Sequence, residues 1–152
     1  MPKTIISDTS CFIVLVKIDV LYLLSEMYGI VFTTNVVVEE FGETLPDWVE
    51  ILNPSDISQQ KILELQIDKG EASCIALALE ISDCTIILDD DRARKMAKKL
   101  GLSVVGTLGV LVKAKLTGII PSILPFLTKV QETDFRLSEG LIEMAKIQAG
   151  EN

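Results

Sequence analysis

The chain has 152 residues, is 49% hydrophobic, carries a formal charge of −8 and contains no histidine. That length suits one domain with its own core, and the composition excludes disorder. The negative charge argues against a broad basic face for nucleic acid, and the missing histidine removes the commonest general base, Ser-His-Asp triads and His-liganded zinc. Any catalysis must use carboxylates, lysine, hydroxyls, cysteine or a metal held by oxygen. A mean hydropathy of +0.42 implies apolar surface left over for a partner.

Short apolar runs alternate with helical patterns. The first strand is expected at "TIIS" (4–7), followed by helices over 9–16 and 19–27, and the second at "IVFT" (30–33), followed by a helix over 36–43. The stretch "LPDWVEILNPSD" (45–56) reads as an irregular insertion, because two prolines interrupt it. Helices over 57–67 and 70–81 precede strand "CTIIL" (84–88); a helix over 92–100 separates it from strand "SVVG" (103–106). Helices over 107–117, 121–131 and 138–148 complete the chain, the last two introduced by Pro121 and Ser138. Such β–α alternation with fully apolar strands predicts an α/β domain around a mainly parallel sheet of four or five strands, with residues 1–152 forming a single unit.

No stretch reads as a membrane span. The most apolar region, 104–127, is broken by Lys113, Lys115, Pro121 and Pro125. The opening "MPKTIISD" leads directly into a strand, so no signal peptide and a cytoplasmic location are expected. Cys11, Cys74 and Cys84 lie in apolar runs without metal-ligand spacing and are expected to be buried free thiols.

The acids fall in a pattern on this map. Asp8 ends the first strand, and Asp89, Asp90 and Asp91 end a later one. In open α/β sheets ligands bind at the carboxyl ends of strands. Strand alternation would put Asp89 and Asp91 on one side and Asp90 on the other, provided that extended geometry continues that far. Glu71 opens a helix, and Glu40 sits in "VVVEEF" after the second strand. Each has a purely structural reading: Asp8 with Thr9 and Ser10 as an N-cap, Glu71 at a helix N-terminus, Glu40 as a solvated helix residue, and Asp90 or Asp91 capping the next helix. Jointly they are harder to explain that way, since adjacent carboxylates repel unless a cation holds them.

The series "SDTSCFI", "VVVEEF", "DKGEASCIALALE" and "IILDDDRARKMAKKLGLSVVGTLGVLVKAKLTG" resembles the PIN-domain nucleases. More narrowly, it is similar to a prokaryotic branch related to the toxin ribonucleases of toxin–antitoxin pairs. The resemblance spans about residues 4–130, and "DDRARKMA…LGLSVVGTLGVL" is its most specific part. It implies a three-layer α/β/α sandwich with strand order 3-2-1-4-5 and a site of converging acids holding Mg²⁺ or Mn²⁺. Carried over by motif, the catalytic acids are Asp8, Glu40, Glu71 and Asp91, with Asp8, Glu71 and Asp91 as metal ligands. Asp91 takes the last place because it precedes Arg92. Asp89, by facing, or Asp90, by family habit, are further ligand candidates.

Thr107 matches a hydroxyl that the family places near the site, and could equally cap its own helix; Thr9 is a second candidate supporting hydroxyl. The implied activity is endonucleolytic hydrolysis of RNA, with water activated on the metal. The implied partners are an antitoxin protein and a second copy of the chain, with the helices around 107–130 as the expected interface. Arg92, Arg94, Lys95, Lys98 and Lys99 offer a local basic stripe or an ordinary wet helix face.

Three alternatives follow from the same residues. One is a non-catalytic binding module of this fold. Another is a phosphorylated receiver, disfavoured because only Asp8 follows the first strand. The third is a dinucleotide-binding domain, disfavoured because no Gly-x-Gly-x-x-Gly follows it.

Overall fold

The computed structural model describes residues 4–152. The opening residues 1–3, read above as leading directly into the first strand, lie outside the described residues. In chain order the elements are β1 (Thr4–Ser7), α1 (Thr9–Lys17), α2 (Tyr22–Tyr28), β2 (Val31–Thr33), α3 (Asn35–Phe41), β3 (Val49–Ile51), α4 (Ile57–Leu63), α5 (Lys69–Leu79), β4 (Cys84–Ile87), α6 (Asp91–Lys99), β5 (Ser103–Val105), α7 (Thr107–Leu116), α8 (Leu124–Gln131) and α9 (Glu139–Ala149). The five strands form one parallel sheet in the order β3-β2-β1-β4-β5, flanked by helices in an α/β/α sandwich.

Two central strands carry the core because both of their faces are covered. Ile5, Ile6, Ile86 and Ile87 are all buried, as are Phe12 and Leu15 of α1 and Ile75 and Leu77 of α5. A fully buried side chain of this size contributes about 1.5–3 kcal/mol. The strand ends are level. Ser7 pairs with Ile87, Ile87 with Val105, and Thr33 with Ile51. The chain leaves β1 toward β2 and leaves β4 toward β5, on the opposite side. The reversal falls between β1 and β4, the position at which open α/β sheets form a crevice.

Several expectations require correction. The supposed irregular insertion contains β3, a strand of three residues at the sheet edge. Val31 N–H donates to Trp48 and Leu52 N–H to Thr33, so the backbone between Pro46 and Pro54 is paired despite the flanking prolines. An edge strand tolerates prolines that a central one could not. The helix expected from residue 19 starts at Tyr22, because Asp19 adopts a left-handed φ of 60° that no helix can contain. Pro121 does not open α8; Pro125 lies in its first turn. Ser138 does cap α9, accepting from Leu141 N–H.

The helices at 107–130, expected as a dimer face, bury one side in the core and leave Leu116 and Leu124 exposed on the other. Val110, Leu111, Ala114, Ile123, Leu127 and Val130 are buried, and α7 packs against α9 of the same chain. Further exposed apolar side chains lie on and just after α4 (Ile57, Ile62, Leu65) and on α9 (Leu141, Met144, Ile147). Cys11 and Cys74 are buried free thiols and Cys84 is a half-buried one. Among the described residues no helix is long and apolar enough to cross a membrane.

Candidate functional site

Because every strand of a parallel sheet points the same way, the helix after each strand begins at one common edge. Acids at strand ends and helix starts are therefore gathered there. Asp8 follows β1 and is 5% exposed. Its backbone is the N-cap of α1, yet its carboxylate makes no capping hydrogen bond. The simple structural explanation for this residue is therefore missing. Thr9 Oγ1 lies 3.5 Å from Asp8 Oδ1, but its one proton is directed to Glu40 Oε1 at 2.7 Å. Burial pushes the Asp8 carboxyl up to about 7, and the charges of Glu40 and Asp89 add to this, against an opposing hydrogen bond from the Thr9 backbone.

Glu71 lies in the first turn of α5, where one carboxylate oxygen accepts from Asp68 N–H at 3.1 Å. Its carboxyl is likewise raised to about 7, first by burial and then by the charge of Asp8. Asp90 and Asp68 contribute further repulsion, while the Asp68 N–H opposes it. Glu40 projects from α3 and takes the Thr9 hydroxyl.

α3 and α5 are fixed to each other by a chain of hydroxyls. Val37 N–H donates to Thr34 Oγ1, which is 2.7 Å from Ser73 Oγ, and Ser73 in turn donates to the Gly70 carbonyl at 2.7 Å. The absence of a side chain at Gly70 leaves room for Glu40: a Cβ there would overlap its carboxylate and force it aside.

The aspartate triplet divides into three roles. Asp89 accepts Ser10 Oγ at 2.8 Å, Thr107 N–H at 2.8 Å and Thr107 Oγ1 at 2.6 Å, so it joins α1 to α7. Asp90 caps α6 through Ala93 N–H at 3.0 Å. Asp91 is the first residue of α6 and is exposed. Extended geometry stops at Asp90, so the premise that placed Asp89 and Asp91 on one side by strand alternation does not hold. Thr107 is not a cap of its own helix; Gly106 holds that position, and both Thr107 donors serve Asp89. A Cβ on Gly106 would lie 2.9 Å from Arg94 Nη1 and 3.1 Å from Asp89 Oδ1, so this glycine also makes room at the site.

Asp8 thus feels the charges of Glu40 and Asp89, and Glu71 those of Asp8 and Asp90, while Asp91 is exposed at the start of α6. Among the described residues none of them forms an ion pair with lysine or arginine. Ser10, read in the sequence as part of an N-cap, serves Asp89 instead, and the roles of Thr34, Ser73, Gly70 and Gly106 were not read from the sequence. Only the glycines carried a signal, since each stands where a helix begins and a better helix former would serve.

A parallel α/β sheet edged by clustered carboxylates defines a class of hydrolytic and phosphate-handling domains. The chain belongs more narrowly to the PIN-domain family: a family model described as a PIN domain matches residues 4–151. Comparison with curated proteins and with solved structures yields no match. PIN domains are in general nucleases and in general use divalent metals.

Proposed function

We propose that this chain is a cytoplasmic endoribonuclease dependent on Mg²⁺ or Mn²⁺. The observation that carries the reading is the group of buried Asp8, half-buried Glu71 and Asp89 and exposed Glu40 near the sheet's carboxyl edge, without a basic partner among the described residues. Repulsion of this kind is offset by a hard cation, and an all-oxygen donor set suits Mg²⁺ or Mn²⁺. Among the described residues no three acid, cysteine or histidine groups converge into a ready-made cage. Mg²⁺ does not require one, because it keeps several waters and takes one or two carboxylates.

Asp8, Glu71 and Asp91 would hold the ion, with Asp89 and Asp90 as further candidates. When bound, the ion supplies Lewis-acid polarisation of the phosphate and a more acidic water. Glu40, oriented by Thr9, would position the attacking water. Thr107 and Ser10 keep Asp89 aimed inward. Arg92, Lys95 and Lys99 on the outer face of α6 would meet the RNA backbone. Removing the charges of the four catalytic acids still leaves the chain at −4 (−8 plus 4), so substrate binding should be modest.

The toxin of a toxin–antitoxin pair is the biological role this reading favours, with an antitoxin covering the acids and a second copy of the chain on exposed apolar surface such as Ile57, Ile62 and Leu65. The missing ready-made cage favours one rival, a non-catalytic binding module of the same fold. Asp8→Asn and Asp91→Asn, tested on single-stranded RNA with Mg²⁺ or Mn²⁺, decide between them. Each keeps shape and removes one charge, so each should cut cleavage at least a hundredfold and weaken metal binding while the circular dichroism spectrum is unchanged. Cleavage by both variants at the wild-type rate would make these acids structural; a wild type inert with either metal would leave the binding module.

A further inference from the structure

We propose that the groove beside Asp89 receives one nucleobase of the substrate, adjacent to the bond that is cut. This rests on the nuclease reading above and assigns a recognition subsite to it. The groove encloses about 390 Å³, formed by α6, β5 and α7 on one side and by residues 135–137 and α9 on the other. That volume falls within the range of small-ligand sites.

Its lining is divided in a way that suits a flat heteroaromatic ring. Val112, Phe135, Leu141 and Met144 supply apolar walls, while Arg94, Arg136 and Gln148 supply donors at the margin. Among the described residues neither arginine is paired with a carboxylate, although the chain carries a charge of −8. Arg94 is held in place, donating from Nη1 to the Leu88 carbonyl at 2.8 Å. A guanidinium stacks on a base and also hydrogen-bonds its edge, and an aromatic ring such as Phe135 stacks without regard to sequence. An apolar peptide segment would gain nothing from two unpaired guanidinium groups.

The groove is also continuous with the acid centre. Asp89 lines it while accepting the hydroxyls of Ser10 and Thr107. A base seated there places its own phosphate beside the acids, which is what a recognition subsite for a nuclease requires. The α9 wall is anchored to the rest of the fold. Lys115 donates to the Ala149 carbonyl, and the Glu151 carboxylate accepts from Ile123 N–H.

The test uses the whole chain, with Ca²⁺ in place of Mg²⁺, and fluorescein-labelled single-stranded oligoribonucleotides carrying one abasic nucleotide at successive positions. Met144→Trp fills the groove from an exposed position, and Arg136→Ala removes an exposed cation, so neither should disturb folding. Base stacking is worth about 1–3 kcal/mol, so one abasic position should weaken wild-type binding about tenfold. That penalty should shrink below about twofold in Met144→Trp and in Arg136→Ala. An abasic penalty equally large in both variants, or no penalty in the wild type, would overturn the subsite and leave the groove to a peptide. In that case cleavage of intact RNA with Mg²⁺ would show that the nuclease reading survives alone. Failure of the folded wild type to bind or cleave any oligonucleotide would remove both.

Discussion

At the end of β1, Asp8 is almost fully buried, and its carboxylate has only the adjacent Thr9 for donors, through its backbone N–H and a hydroxyl 3.5 Å away. At the end of neighbouring β4, Asp89 is more open and accepts three hydrogen bonds from α1 and α7. The two acids occupy equivalent places in the topology, yet Asp89 is held by donors from two helices and Asp8 only by its own neighbour. Burying a carboxylate with so few partners is costly. Asp89 is explained by the fold alone, since it ties two helices together. Asp8 is not explained by capping or pairing in the fold, and under the nuclease reading proposed above it awaits a cation; the difference between them can be measured.

The largest effect expected is on stability as a function of pH in EDTA. Asp8 is raised in the folded chain from 3.8 to about 7. Between those values the native state holds more protons than the unfolded one, so stability falls as pH rises, and the loss is complete above about pH 7. Its upper bound is roughly 4 kcal/mol. Urea titrations of the metal-free protein from pH 4 to pH 8 should show this decline, and Asp8→Asn should remove the larger part of it, leaving the part due to Glu71, whose carboxyl is also raised to about 7. The same slope in Asp8→Asn as in wild type would break the contrast, and flattening by Asp89→Asn instead would reverse it.

A smaller effect concerns the neighbour of Asp8. Gly70→Ala pushes a methyl group into the Glu40 carboxylate and should cost about 1–3 kcal/mol by chemical denaturation. Activity should fall with it, because Glu40 can move only by leaving Thr9. Gly106→Ala meets Arg94 and Asp89 less closely and should cost less. The smallest effect belongs to the support of Asp89. Thr107→Val removes one of its three donors and should cost about 1 kcal/mol. Its mark should be a loss of cleavage rate with little change in substrate affinity, since the acid would be less firmly held.

Much of this was legible in the sequence. Apolar runs at 4–7 and 84–88 gave the two central strands, because strands covered on both faces need no alternation. The position of Asp8 and Glu71 at one edge followed from strand direction alone. β3 was not legible, since three residues between prolines leave no pattern, and only pairing with β2 makes them a strand. The division of labour in the aspartate triplet was equally hidden. It depends on where α6 starts, and on donors such as Ser10 and Thr107 that are distant in the chain from Asp89. Glycines 70 and 106 matter for the space they leave, which becomes visible only when two helices meet.

The strand order has a consequence for synthesis. β1 is the earliest strand in the chain but lies at the middle of the sheet, and its long neighbour β4 follows much later. Chains emerge from the ribosome N-terminal end first. Asp8 is therefore translated early and waits for Asp89, and the Asp89 carboxylate waits in turn for Thr107. The acid edge is therefore complete only once α7, which brings Thr107 to Asp89, has emerged.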